Sequence, residues 1–360
     1  MNVERLHRIL IDLDKDLKTS KLIQLISQVQ THLQNQVNQP NQPAHQTNLV
    51  TGLENLYKAL EKSAYNHYSP GYLGIIDEIS DDIDFGLNLK NKIEGILSSN
   101  AITPAKALKD IQDIHNKTNN FQTAITNTLA SFKTLNIEHE ELNNGECEFG
   151  YTIPREYVKN KLSSFKDEVA ELSFILNHVS EAVNGEKEEF KVKTISSSDF
   201  LLYIVISLQV ANVLSKATER ILNHYKQVLE IKNLRNQLKE KGVPASKTKD
   251  IETHANGMME AEIKKIAKEV IEEYYNGENG RKNELENGLV ISLNKLANRI
   301  DKGFNVEIRV KPLSAPKENE EEPEGYQEKV ELVKEIQKSA RNIEFIDTKG
   351  ESILGLKEKN

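Results

Sequence analysis

Tryptophan is absent from this chain of 360 residues, cysteine occurs once and proline only nine times. The lone Cys147 cannot close an intrachain disulfide and has no second thiol for a metal cluster, which removes the disulfide-stapled and cysteine-zinc classes. So few prolines leave long stretches free to run as helix. The opening, Met1-Asn-Val-Glu-Arg-Leu-His-Arg8, lacks the apolar core of a secretion signal, so a reducing cytoplasm is the expected setting. No window reaches the ~20 apolar residues that cross a bilayer. The longest apolar run, 200–214, is interrupted by Ser207, Gln209 and Asn212, and no stable membrane span is expected.

Chemical motifs are missing too. A phosphate-binding loop needs glycines between a strand and a helix, so that backbone N–H groups can close on the anion. Neither strand-to-helix junction read here, after Ile153 and after Ile195, has them. The nine histidines include no i, i+4 pair of the kind that holds zinc on a helix. Asp12, Asp14 and Asp16 imitate the start of a calcium loop without its glycine or terminal glutamate, and His139-Glu140-Glu141 offers one turn of ligands only. No Gly-x-Ser-x-Gly elbow occurs, and Cys147 lies between glutamates that would raise its thiol pKa. No cofactor, no metal and no catalytic residue are therefore assigned, and an enzyme would need residues distant in sequence to converge.

Amphipathic helix is what remains. Leu6, Leu10, Leu13 and Leu17, then Leu22, Ile26, Val29, Leu33 and Val37, fall at helical spacing with one skip near Thr19-Ser20. Further stripes cover 49–65, 73–97 and a helix opening at Thr103-Pro104, where the threonine hydroxyl is expected to cap. These predict a helical bundle over 1–137, with a mobile polar connector at 38–48. Beyond Asn143 the period changes. Cys147, Phe149, Tyr151 and Ile153 alternate with polar residues as a strand does, and so do 190–194 and 304–311. Val158 to Val183 keeps a three-four seam like that of a coiled coil. A domain over 145–312 is expected, its three short strands packed on long helices around a central helix at 198–241 capped by Ser196 to Asp199. An acidic linker (313–324), then a short helix and polar tail (325–360), complete the chain. The fold class is mainly α with a small α+β part.

A net charge of −8 argues against wholesale nucleic-acid binding, yet 216–250 is locally basic. Lys226, Lys232, Arg235 and Lys239 are read along the exposed side of the central helix as a candidate interaction patch for an acidic partner or nucleic acid. The leading expectation is a non-enzymatic interaction or scaffold protein that contacts a protein partner or another copy of itself, as a dimer for instance. Nucleic-acid binding through 226–239 ranks second, and membrane action by the 200–214 run third.

Overall fold

In the computed structural model the first stripe breaks where it skips. Lys21 adopts a left-handed backbone (φ 53) and divides the rod into α1 (Val3–Thr19) and α2 (Leu22–Asn38). Residues 2–196, 200–244, 249–316, 322–346, 348 and 352–359 are described, and the chain divides into two units, Met1–Glu141 and Leu142–Asn360.

The first unit is all helix. Asn2 caps α1 by accepting from the amides of Glu4 and Arg5 at 2.8 and 3.1 Å. The polar connector is shorter than 38–48, because Pro43 takes the first turn of α3 (Pro43–Glu61), where its missing N–H costs nothing. The expected rod over 73–97 is two helices, α4 (Pro70–Ser80) and α5 (Gly86–Ser99), parted by the left-handed residues Asp81 and Asp82. Gly86 is required at that corner. Its φ is +53, and a Cβ there would lie 2.1 Å from the Asn66 Oδ1 that accepts from the Leu87 amide. Thr103 precedes α6 (Pro104–Thr134) without capping it, its hydroxyl being turned to Asn100. Helix α2 packs against α3 and α6, with Ile26, Val29, Leu56 and Ile111 fully buried. Arg5, 2% exposed, grips the Glu140 carboxylate through two nitrogens at 2.9 and 2.6 Å.

The second unit sets a four-stranded antiparallel sheet against helices. Its elements are β1 (Cys147–Ile153), α7 (Arg155–Val158), α8 (Leu162–Asn184), β2 (Lys191–Ser196), β3 (Phe200–Ile206), α9 (Leu208–Glu240), α10 (Lys249–Tyr274), α11 (Asn279–Asp301), β4 (Asn305–Val310) and α12 (Tyr326–Ala340). Strand order is β2-β3-β1-β4. The expected helix at 198–241 is thus corrected: its first part is β3, a strand between β2 and β1. Phe200 to Ile206 is apolar at every position, so neither a two-residue nor a 3.6-residue period is visible in it. Leu202, Ile204 and Ile206 are buried on one face and Tyr203 on the other. The helix starts at Leu208, ten residues later than expected, where Ser207 Oγ accepts from the Val210 amide at 3.4 Å. Ser196, read as a cap, ends β2, and 197–199 lie outside the described residues.

Cys147, Phe149, Tyr151 and Ile153 are fully buried, as the alternation predicts. On the opposite face the Tyr203 hydroxyl donates to Glu307 Oε1 at 2.8 Å. Only glycine fits beneath that bond, since a Cβ on Gly150 would lie 2.7 Å from Glu307 and 2.9 Å from Tyr203. Helix α8 begins at Leu162 rather than Val158, because Lys159 and Asn160 are left-handed. Its seam from Leu172 to Val183 is buried in the unit's own core, where α8 meets α9 and α11. Asn212 of α9, 1% exposed, donates to Tyr274 of α10 and Glu335 of α12. The polar tail is also corrected. Ile343, Ile353, Leu354 and Leu356 enter the core at 2–6% exposure, since aliphatic side chains between polar ones let an extended segment bury one edge.

Burial, and secondarily the charge of Glu146, pushes the Cys147 thiol up to about 12. The native protein at pH 8 should therefore leave a disulfide reagent unreacted over the time in which the guanidinium-unfolded chain reacts fully. Absorbance of the released thiolate measures this. Hydrogen bonding to Lys216 holds the Glu335 carboxyl below its usual 4.5 against the opposing pull of burial. That contribution is present above the unfolded value and disappears as pH falls through the lower folded value. Hydrogen exchange should accordingly show α12 losing protection on acidification, and losing less of it in Glu335→Gln.

Candidate interaction groove

Helix α11 carries Asn294, Asn298 and Asp301 at spacings of four and three, which puts them on one face. They are 4%, 4% and 1% exposed. Polar groups so deep need partners, and the partners come from the extended segment 352–359. Asp301 Oδ2 accepts from the amides of Ile353 at 2.6 Å and Leu354 at 2.8 Å. Asn298 pairs with both backbone groups of Leu356, accepting from its N–H at 3.0 Å and donating to its carbonyl at 2.9 Å. Asn294 donates to the Lys357 carbonyl at 2.8 Å, and Asn256 of α10 accepts from the Gly355 amide at 2.8 Å. A groove lined by side-chain amides and one carboxylate therefore reads the backbone of an extended chain, as an added β-strand would.

Asp301 closes α11, where the carbonyl end of the helix dipole repels a carboxylate. The repulsion is offset from α9. Tyr225 donates to Asp301 Oδ1 at 2.7 Å and the Lys232 ammonium lies 3.2 Å from the same oxygen, all three side chains being buried. Both oxygens thus accept from two donors each, which satisfies the carboxylate. Burial, then the charge of Asp301, holds the Tyr225 hydroxyl far above its ordinary value, so it stays a donor. Further along α11, Lys295 and Arg299 are 4% and 3% exposed. Arg299 Nε bonds Glu168 at 2.7 Å and Lys295 bonds Glu171 at 2.5 Å, both carboxylates on α8. Glu358 of the segment joins them, taking a hydrogen bond from Asn298 at 2.8 Å and lying 3.6 and 3.8 Å from Arg299 and Lys295.

The four residues of the basic patch do not form an open stripe. Lys232 is fully buried, which corrects its placement on the exposed side. Thr218, Ile221, Tyr225 and Val228 make the inward stripe of α9, and Lys232 occupies its next position. Lys226 pairs with Glu344 at 2.9 Å and Arg235 with Glu252 at 3.0 Å, while Lys239 is exposed near the end of α9. Sequence reasoning missed Asn256, Asn294, Asn298 and Asp301. For the three on α11 the signal was polar residues at helical spacing beside the apolar stripe of Leu289, Leu293, Leu296 and Ile300.

Asp301→Asn keeps the shape and one acceptor oxygen but replaces the other by an NH2 donor and strands the buried Lys232 ammonium, so it should cost about 3–5 kcal/mol. Lys232→Met introduced with it should recover most of that loss. Urea unfolding of the single and double variants measures both, with exchange at the Ile353 and Leu354 amides reporting release of the segment.

No known protein family, curated protein or solved structure matches the chain.

Proposed function

We propose that the protein acts by contact rather than by catalysis, as an interaction or scaffold protein whose second unit carries a groove for an extended peptide. The single observation behind this is the grip of Asn256, Asn294, Asn298 and Asp301 on the backbone of 353–357. Side chains that bond a backbone ask little of the peptide's identity, while Ile353, Leu354 and Leu356 supply apolar anchors worth about 1.5–3 kcal/mol each. The groove is filled by the chain's own segment, and the same contacts are open to a partner or to a second copy. Neither rival gains an observation. At least three of the four basic side chains are in ion pairs, and one of those, Lys232, is fully buried. The 200–214 run is shared between β3 and α9, and among the described residues no helix is long and apolar enough to cross a membrane.

A segment tethered in place competes at an effective concentration of the order of millimolar, so it must be disabled before a free peptide can be measured. Fluorescence anisotropy of a labelled 352–359 peptide should show micromolar binding to full chain bearing Ile353→Asp, Leu354→Asp and Leu356→Asp, and weaker binding to the unaltered protein. No binding to a variant that keeps its helical circular dichroism would overturn the proposal.

A further inference from the structure

Beyond the seat of Glu358 the groove does not stop. A concavity of about 450 Å³ continues from it, formed by Ala170, Glu171 and Phe174 of α8, Ile291 and Lys295 of α11, and Glu358 and Lys359 of the segment. Its size falls within the range of about 300–1,000 Å³ over which proteins hold small organic groups. Phe174 and Ile291 are only half-buried, and Lys359 is exposed, so the segment seated alongside leaves this apolar floor partly bare. The wall is an ion pair, Lys295 with Glu171. Lys295 Nζ lies 5.1 Å from the centre of the Phe174 ring and 2.5 Å from Glu171 Oε2. Lys359 is the segment's own residue at this concavity, and among the described residues the segment sets no apolar side chain against Phe174 and Ile291.

We infer that this concavity is an additional subsite of the peptide groove, and that it takes the aromatic side chain of a partner peptide at the position after the carboxylate. The inference rests on the groove proposed above and names its partner more closely. Three features of the site select the occupant. Asn298, Arg299 and Lys295 fix a carboxylate at the position of Glu358, which sets the register of whatever follows. Phe174 offers a face on which a second ring can lie offset or edge-on. Lys295, nearly buried beside it, supplies the cation that an aromatic face attracts. The partner is therefore an extended peptide with two adjacent aliphatic residues, glycine, a third aliphatic residue, any residue, a carboxylate and then an aromatic ring. The chain's segment has every feature but the last, which makes it a placeholder that such a partner displaces.

The test compares two labelled peptides, the 352–359 sequence and the same sequence with Lys359→Phe. Each is titrated into full-length protein whose own segment is disabled by Ile353→Asp, Leu354→Asp and Leu356→Asp. Burial of a phenylalanine ring predicts a Kd lower by about tenfold or more for the second peptide. Phe174→Ala in the receptor should remove that advantage and leave the Kd of the first peptide unchanged. Equal affinities would overturn the subsite while the groove stands, and failure of both peptides to bind would overturn the groove and the subsite with it. A version that leaves the seat intact places Lys359→Phe in the otherwise unaltered full chain. Hydrogen exchange at the Leu356 amide should then slow severalfold, and an unchanged rate would also overturn the subsite.

Discussion

A carboxylate buried at the carbonyl end of a helix is unstable unless donors surround it, and Asp301 is placed there. Its four donors come from two sources, Tyr225 and Lys232 on α9 and the Ile353 and Leu354 amides on the closing segment. Helix α9 cannot shift along α11, nor can the segment lift, without exposing charge to a low-dielectric interior. The segment is thus more than a surface strap, because it completes the electrostatics of a core that the helices alone leave unfinished.

Much of this architecture is legible in the chain. The helical stripes, the strands at 147–153 and 305–310, and the mainly α class all follow from spacing. What escaped has identifiable causes. The run 200–206 is apolar throughout and so has no period to read. Breaks at Lys21, at Asp81 with Asp82, and at Lys159 with Asn160 depend on left-handed backbone, which lysine seldom adopts and which aspartate and asparagine adopt only at some positions. The binding residues were illegible for another reason. Lysine at 232 and aspartate at 301 are surface types by default, and only their mutual proximity across 69 residues makes them core. Asparagines on α11 likewise gain meaning only once a partner backbone lies beside them.

The charges of the second unit form layers rather than a patch. Arg299 and Lys295 are tied to Glu168 and Glu171 on the neighbouring helix before the segment arrives, so the arrival of Glu358 adjusts a network already close to balance. Buried ionic networks of this kind add little net stability over apolar packing, and their best-attested role is fixing one register among several. Here they decide where along α11 an extended chain comes to rest, while its aliphatic side chains decide how firmly it stays.

Sequence separation gives the Asp301 cluster a bearing on how the chain assembles. Tyr225 precedes Asp301 by 76 residues, and the Leu354 amide follows it by 53. Contacts that distant close loops whose entropy must be spent before any reward is gained. Both halves of the donor shell around Asp301 therefore come from parts of the chain remote from it in sequence. Seating the 352–359 segment covers that carboxylate, so closing this unit amounts to the drying of a charge.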